Sequence, residues 1–159
     1  MQLLLWRHAE ANDHKNDLKR HLTPKGFQQA EKMSKWIKKH FSDEHTVWVS
    51  EAFRTQETAS FLKHKPLIKP HLNPSSPVNI ILNDILDNIF SENIIIVGHQ
   101  PWIGSLTAYL IYVNYNRHIN IPIYWPFKRA SIWWLEIKQD NQNSFYTKVK
   151  ANLTPNLLD

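Results

Sequence analysis

Two histidines and three arginines of this chain have side chains that fit one common chemistry. Arg7 and His8 are adjacent near the N-terminus, and Arg20, Arg54 and His99 follow along the chain. Guanidinium groups bind phosphate oxygens as planar, bidentate donors. A neutral imidazole held in one tautomer is a good nucleophile towards phosphorus, and a second imidazole, if protonated, adds charge where the transition state needs it. Together these residue types fit a phosphoryl-transfer site in which one of the two histidines attacks phosphorus.

Each of the two histidines follows a short apolar run. Gln2–Trp6 comes shortly before His8, and Asn93–Val97 comes shortly before His99. Both runs are typical of buried strands. Sites in open α/β sheets form beyond the carboxyl ends of the strands. We therefore expect the two histidines to face one crevice despite their wide separation in sequence.

The rest of the chain alternates predicted helices and strands. Thr23-Pro24 predicts a helix start with Thr as N-cap and Pro in the first position. Loops are expected over 9–22 and 63–77, and a turn at Asp140–Asn143. Further strands are expected at Thr46–Ser50, Ala130–Ile137 and Phe145–Val149, and further helices over 52–63, at Val78–Phe90 and over 102–113. The residues expected to face inward are Phe27, Ala30, Met33, Trp36–Ile37 and Phe41 on the first helix and Phe53, Ala59 and Leu62 on the second. This order predicts a three-layer α/β/α sandwich with a mostly parallel central sheet. The length suits a single domain spanning residues 1–159.

Composition excludes several classes of site. The chain has no cysteine, which rules out disulfides, thiolate zinc sites and a cysteine nucleophile. Its three glycines assemble no nucleotide-binding loop and no serine-hydrolase elbow. The other histidines lack metal-ligand spacing, so we expect no metal and no cofactor: His14, His21, His40, His45, His64, His71 and His118.

The net charge and the hydropathy of the sequence indicate which partners and which cellular location to expect. The formal net charge of +5 fits either a solvated basic surface or attraction of an anionic partner, such as a phosphorylated protein or a small phosphate ester. No nucleic-acid-binding signature is present, so we expect no nucleic-acid partner. The apolar start lacks the basic region of a signal peptide, and no run approaches the ~20 apolar residues of a membrane span. A cytoplasmic protein without membrane contact is therefore expected.

Four segments carry a resemblance to a known family. Leu5-Trp6-Arg7-His8-Ala9 resembles the Leu-x-Arg-His-Gly signature of the histidine phosphatase superfamily. Three further stretches are similar to the Leu-Thr-x-x-Gly helix start, the Ser-x-x-x-Arg-x-x-x-Thr-Ala stretch and the second-histidine segment of that family: Leu22–Gly26, Ser50–Ala59 and Val97–Pro101. The resemblance implies a phosphoglycerate mutase-like fold and a covalent mechanism. In it His8 attacks phosphorus, while Arg7, Arg54 and His99 hold the phosphoryl oxygens and water later releases phosphate.

The short chain without a lid insertion looks most like the SixA-type branch, which removes phosphate from histidine on signalling proteins. The segment Lys19–Thr23 resembles that branch's Arg-Pro-Leu-Thr motif, with His21 in place of the proline. Arg20 is accordingly expected to be an auxiliary phosphate contact. The implied partner is a phosphorylated histidine-containing phosphotransfer protein.

Two departures from the family pattern bear on activity. Ala9 replaces the signature glycine, which costs stability only if that position needs a positive φ. Residues 71–78 hold no carboxylate, whereas ester-cleaving relatives place a glutamate in this segment. An alkoxide leaving group needs a proton, so the missing acid favours a phosphohistidine substrate with its weaker P–N bond. Glu10 remains a candidate proton donor from the first loop.

Three other functions stay open on the sequence. A small-molecule phosphomonoesterase would need an acid, for which Glu10 and Glu51 are the candidates nearest in sequence. A mutase would need a closed site, for which the chain has little length. A non-catalytic module that binds phosphorylated partners is the third. Trp102 is predicted either to form part of the pocket mouth or to be buried at the start of a helix.

Overall fold

The computed structural model describes residues 1–88, 93–112, 125–142 and 144–158. The strands are β1 (Gln2–Arg7), β2 (Thr46–Val49), β3 (Leu67–Ile68), β4 (Ile94–Gly98), β5 (Ile132–Gln139) and β6 (Phe145–Leu153), and the helices are α1 (Pro24–His40), α2 (Phe53–Ala59), α3 (Val78–Asp87) and α4 (Trp102–Tyr112). Short 3-10 turns lie at Asp17–Lys19, Pro70–Leu72 and Pro155–Leu157.

All six strands form one sheet in the order β3-β2-β4-β1-β5-β6. The first four strands in this order are parallel, and β5 and β6 add an antiparallel edge. Strand β4 lies between β1 and β2, so the carboxyl ends of these three strands are neighbours. The predicted mostly parallel central sheet is confirmed.

The sheet separates two hydrophobic cores. Leu3 and Leu5 of β1 face the core that holds residues of α3 and α4. Leu4 and Trp6 face the core that holds residues of α1 and α2. This alternation follows from the two-residue period of a strand. Both faces of the central strands are buried, which explains their continuous apolar runs and completes the three-layer α/β/α architecture.

Helix α1 begins where the sequence predicts. The Thr23 hydroxyl accepts a hydrogen bond from the Gly26 amide at 2.9 Å, and Pro24 occupies the first helical position. Its inward side carries the buried residues Ala30, Met33 and Ile37.

Two aromatic side chains were expected inside and lie outside. Phe27 is 39% exposed and Phe53 is 38% exposed, so their predicted inward positions are wrong. Phe27 lies edge-on to Phe61, and Phe53 packs on the ring of His21, whose loop covers this side of α2. Contact between aromatic neighbours shields part of each ring without placing it in the core.

Element boundaries differ from the expectations in several places. The expected 63–77 loop contains β3, and the expected helix over 52–63 ends at Ala59. Strand β4 extends to Gly98, while β5 begins at Ile132 and β6 continues to Leu153. The predicted final residues of the third and fourth helices, Phe90 and residue 113, and the turn residue Asn143 lie outside the described residues. None of the helices in the described ranges is long and apolar enough to cross a membrane.

Candidate active site

The strand register brings the two predicted histidines together. Arg7 of β1 pairs with Gly98 of β4, so His8 and His99 follow at the same level of the sheet. The His8 amide donates to the Gly98 carbonyl at 3.0 Å, and the centroids of the two imidazole rings are 5.2 Å apart. The two histidines therefore lie side by side at the carboxyl edge of the sheet.

His8 is held as a neutral imidazole in one tautomer. Its Nδ1 lies 2.7 Å from the carbonyl oxygen of Ala9, which can only accept, so Nδ1 carries the proton. The lone pair is then on Nε2. Burial, together with the positive charges of Arg54 and Arg7, lowers the pKa of His8 to about 3. The ring is therefore neutral at pH 7 and carries its lone pair on Nε2, as the predicted nucleophilic role requires.

Arg54 extends from the first turn of α2 towards the nucleophile. Its Nε donates to His8 Nε2 at 3.3 Å, and the side chain is 3% exposed. The far end of its guanidinium donates to Asp17, through Nη1 to the backbone carbonyl at 2.6 Å and through Nη2 to Oδ2 at 2.9 Å. The Thr58 hydroxyl donates to the Arg54 carbonyl and accepts from the Ala9 amide at 3.0 Å, which ties α2 to the loop after the nucleophile.

Arg7 is held by a segment far along the chain. Its Nη1 donates to the carbonyl of Phe127, and its backbone amide donates to the Ser131 carbonyl at 3.0 Å. Its Nε is buried and has no hydrogen-bond partner among the described residues. An uncompensated buried guanidinium N–H is costly and suits an anionic ligand.

His99 is held by a serine. Its Nε2 lies 2.8 Å from Ser50 Oγ, and its buried Nδ1 has no partner within the described ranges. Burial, followed by the charges of His8 and Arg54, lowers the pKa of His99 to about 2. The ring is neutral at pH 7, so it can bind a phosphoryl oxygen only through a hydrogen bond and not through a charge. Positive charge at the site comes from the arginines.

Asp17 joins Arg20 to the site. One oxygen of the Asp17 carboxylate contacts Arg20 Nη1 at 3.2 Å, and the other contacts Arg54. Arg20 Nε also donates to the carbonyl of Asn12 at 2.8 Å. The positive charge of Arg20 contributes to the lowered pKa of His8, which places it within electrostatic reach of the nucleophile. Its direct contact with phosphate stays a prediction.

The two candidate acids have different hydrogen-bond partners. Glu10 accepts from the Thr23 hydroxyl at 3.1 Å and from Arg129 at 2.9 Å, and these contacts hold its pKa below the ordinary value. They favour the carboxylate, which has no proton to donate. Glu51 accepts instead from the side chain of Asn73 at 2.8 Å.

Two further sequence questions are answered by the geometry. Within the described residues Ala130 is the one non-glycine residue with a positive φ, 56°, so Ala9 replaces the signature glycine without backbone strain. Trp102 is 2% exposed and lies in a hydrophobic core, so its predicted place at the mouth is wrong. Its ring occupies the space beside Gly98, where a Cβ would come within 2.2 Å of it.

The described histidines outside the site serve local contacts. No group of three or more potential metal ligands occurs in the part of the chain that the structure describes, and His118 lies outside that part. His21 contacts Glu57 at 2.5 Å, and His71 contacts Asp84 at 2.8 Å.

Sequence reasoning missed several groups that build the site. Ser50 had a signal, since it begins the Ser-x-x-x-Arg stretch, and Thr58 lies within the same stretch. Asp17 had none, because it is one polar residue in a polar loop. The Phe127 carbonyl had none either, because a backbone oxygen is independent of residue type.

Comparison with known proteins gives a family match for part of the chain and a shared fold for all of it. Residues 3–75 match the model of the histidine phosphatase superfamily (branch 1). No curated protein matches the sequence. Among solved structures, the protein histidine phosphatase SixA complexed with tungstate is 23% identical, with a TM-score of 0.77 over 100% of both chains.

Two further solved structures share the fold. A protein assigned as phosphohistidine phosphatase SixA from Nakamurella multipartitia is 20% identical, with a TM-score of 0.78 over 97% of this chain and 95% of that one. A phosphoserine phosphatase mutant from Entamoeba histolytica, in complex with phosphoserine, is 13% identical, with a TM-score of 0.71 over 99% of each chain. Residues 3–75 are thus similar to the histidine phosphatase superfamily in sequence, and the whole chain shares its fold with these solved phosphatases.

Proposed function

We propose that this chain is a phosphohistidine phosphatase that acts on a cytoplasmic histidine-containing phosphotransfer protein in signal transduction. The reaction passes through phospho-His8 and needs no metal ion. The observation that carries the proposal is the pairing of a neutral, oriented His8 with arginine donors, in a site where the carboxylate of Asp17 is held by Arg54.

The first step exchanges one P–N bond for another. His8 Nε2 attacks phosphorus, and the bond to the substrate imidazole breaks. A substrate ring that is protonated on its other nitrogen leaves as neutral imidazole, so the enzyme need not supply a proton. Phospho-His8 acquires positive charge on its ring, and the Ala9 carbonyl at Nδ1 stabilises that charge.

The second step hydrolyses the intermediate. Water attacks phosphorus, the Nε2–P bond breaks, and the proton lost by water leaves with inorganic phosphate. Arg7, Arg54 and His99 offer donors to the equatorial oxygens in both steps, where negative charge develops.

The contacts of Asp17 support a nitrogen leaving group. Burial raises the pKa of Asp17, but the hydrogen bonds from Arg54 and Arg20 outweigh it and the pKa is lowered. Asp17 is therefore ionised and cannot protonate an alkoxide. General acids contribute roughly 10²–10⁴-fold to such reactions, so ester cleavage without one is slow.

An open groove beside Asp17 supports a protein substrate. It has a volume of about 520 Å³ and runs between Asp17-Leu18 and residues of the 70–77 segment, including Asn73 and Pro74. A phosphohistidine is part of a folded carrier, and a groove open to solvent admits a carrier surface as well as the phosphorylated ring.

A small-molecule phosphomonoesterase is the second candidate, and one contact favours it. Glu51 binds Asn73, which lines the groove, so a carboxyl group lies next to the space that a leaving group would occupy. The structural similarity to a phosphoserine phosphatase is compatible with this candidate.

Phosphate release from matched substrates separates the candidates. The substrates are a phosphorylated phosphotransfer domain, phosphoimidazole, p-nitrophenyl phosphate and phosphoserine, each with EDTA and with added Mg²⁺. His8→Ala is compared with His14→Ala, which removes an exposed histidine of the same loop whose ring contacts Asn16.

We expect EDTA-resistant release from the P–N substrates that His8→Ala abolishes and His14→Ala leaves unchanged. Fast phosphoserine turnover that Glu51→Gln lowers would favour the esterase instead. Binding of the phosphorylated domain without any release would identify a binding module. Dependence on Mg²⁺ would contradict metal independence.

A further inference from the structure

Asp17 makes a contact with Arg54 that the proposed chemistry does not use. The backbone carbonyl and the carboxylate of Asp17 together accept from both terminal nitrogens of Arg54, at 2.6 and 2.9 Å. The second carboxylate oxygen contacts Arg20 Nη1 at 3.2 Å. A single residue thus holds the distal end of one arginine and links it to the other.

This contact leaves a defined edge of Arg54 for the site. A guanidinium has two usable forks, one formed by its terminal nitrogens and one formed by Nε and the adjacent Nη2. Asp17 occupies the terminal fork. The lateral edge remains, and its Nε points at His8 Nε2 from 3.3 Å. Asp17 therefore fixes the guanidinium of Arg54 in the orientation in which this lateral edge faces His8.

The local structure holds Asp17 in place. The Asn16 side chain accepts from the Leu18 amide at 3.1 Å and caps the Asp17–Lys19 turn. The Asp17 side chain is 54% exposed while that of Arg54 is 3% exposed. A substitution at Asp17 can therefore change the buried arginine without opening a cavity in the core.

We propose that Asp17 is a positioning residue, which orients the lateral edge of Arg54 towards the phosphoryl group on His8 and holds Arg20 beside it. The turnover part of this proposal rests on the proposed phosphatase function. The orientation of Arg54 can be measured without any substrate.

Removal of the Asp17 carboxylate acts in opposite directions on ground-state phosphate binding and on kcat. The negative charge beside Arg54 opposes a bound phosphate, so its loss favours ground-state binding. Loss of the fork frees the arginine and weakens its alignment with charge that develops in the transition state, where preorganised donors matter most. A positioning role thus predicts a lower kcat without a matching rise in KM.

The experiment compares Asp17→Ala and Asp17→Asn with the wild-type chain. Asp13→Asn is the matched control, because Asp13 lies in the same loop and contacts Arg20 at 3.7 Å, with its side chain fully exposed. The measurements are phosphoimidazole turnover, binding of inorganic phosphate, the thermal unfolding midpoint and the ¹⁵N shift of His8 Nε2.

We expect kcat to fall about tenfold or more in Asp17→Ala and less in Asp17→Asn, which keeps one acceptor oxygen. Phosphate affinity should stay within about threefold of wild type, because the lost repulsion offsets the lost orientation. The Nε2 shift should change and the unfolding midpoint should not. Asp13→Asn should resemble wild type throughout.

Two results would overturn the proposal. One is a kcat equal to that of Asp13→Asn. The other is a higher kcat with tighter phosphate binding, which would make Asp17 a competitor of phosphate. If the wild-type chain releases no phosphate at all, the phosphatase function fails. The ¹⁵N shift of His8 Nε2 and the phosphate affinity then still test the positioning role of Asp17. An unchanged Nε2 shift in Asp17→Ala would refute that role.

Discussion

The imidazole rings of His8 and His99 lie with their centroids 5.2 Å apart and their planes tilted by 55°. Both rings are buried, and the pKa of each is lowered, to about 3 for His8 and about 2 for His99. Two neutral imidazoles can take different roles at this distance, one as nucleophile and one as hydrogen-bond donor. Arg7 and Arg54 then supply the fixed positive charge beside the two rings.

The donor role of His99 is tested by replacing its ring. His99→Ala removes the buried donor, and we expect kcat for phosphoimidazole to fall about 10²–10³-fold, as for loss of one oxyanion donor. His99→Asn places an amide nitrogen close to the position of Nδ1 and should recover part of the rate. Steady-state kinetics measure both. A fall of less than about threefold in His99→Ala would contradict the role.

We expect Ser50 to fix the tautomer of His99. Its hydroxyl contacts His99 Nε2 at 2.8 Å and accepts from the Ala52 amide at 3.1 Å. If the hydroxyl donates to Nε2, Nδ1 carries the proton that a phosphoryl oxygen needs. We expect Ser50→Ala to lower kcat about tenfold and to broaden the His99 ring resonances. Ser60→Ala, which removes an exposed hydroxyl at the end of α2, is the control and should leave both unchanged.

The lowered histidine pKa values predict a stability that depends on pH. Between an unfolded pKa of 6.5 and the folded values of about 3 and 2, the unfolded chain binds protons that the folded chain does not. The free energy of unfolding therefore falls as pH drops below about 6.5, by up to about 1.4 kcal/mol per pH unit for each ring. Above 6.5 neither ring contributes.

Urea unfolding at pH 7 and pH 5 measures this slope. His99→Asn removes one of the two titrating rings, so its stability should depend less steeply on pH than that of wild type. His14→Ala removes an exposed histidine and should keep the wild-type slope. Equal slopes in His99→Asn and wild type would show that His99 is protonated in the folded chain.

Gly26 should tolerate no side chain. A Cβ at this position would lie 2.0 Å from the carbonyl oxygen of Glu10, in the loop that follows the nucleophile. Gly26→Ala must push α1 away from that loop, so we expect lower stability and at least about a tenfold loss of phosphate release. Gln28→Ala, on the exposed side of the same helix, is the control. Wild-type activity in Gly26→Ala would show that the loop is free to shift.

Sequence patterns predicted the parts of the fold that rest on strong local signals. The apolar runs before His8 and His99 became neighbouring strands, and Thr23-Pro24 began α1. Strand β3 was missed because two residues cannot show a strand period. Phe27 and Phe53 were misplaced because aromatic residues also pack on each other at the surface.

The candidate site likewise contains residues that sequence motifs identified and groups that they did not. Motifs named the residues whose side-chain type does chemistry, such as His8 and Arg54. They could not name the groups that orient those residues. Asp17 acts through tertiary contacts, and the carbonyl of Phe127 is a backbone group that any residue supplies.

The link between Arg7 and the segment around Phe127 has a consequence for the timing of synthesis. His8 is translated well before the carbonyls that hold its neighbour Arg7, because those carbonyls lie 120 or more positions later than Arg7 in the chain. Ala130, which donates to the His8 carbonyl, is made equally late. A nascent chain therefore carries the reactive histidine long before it can use it, and activity begins only when translation has passed this segment.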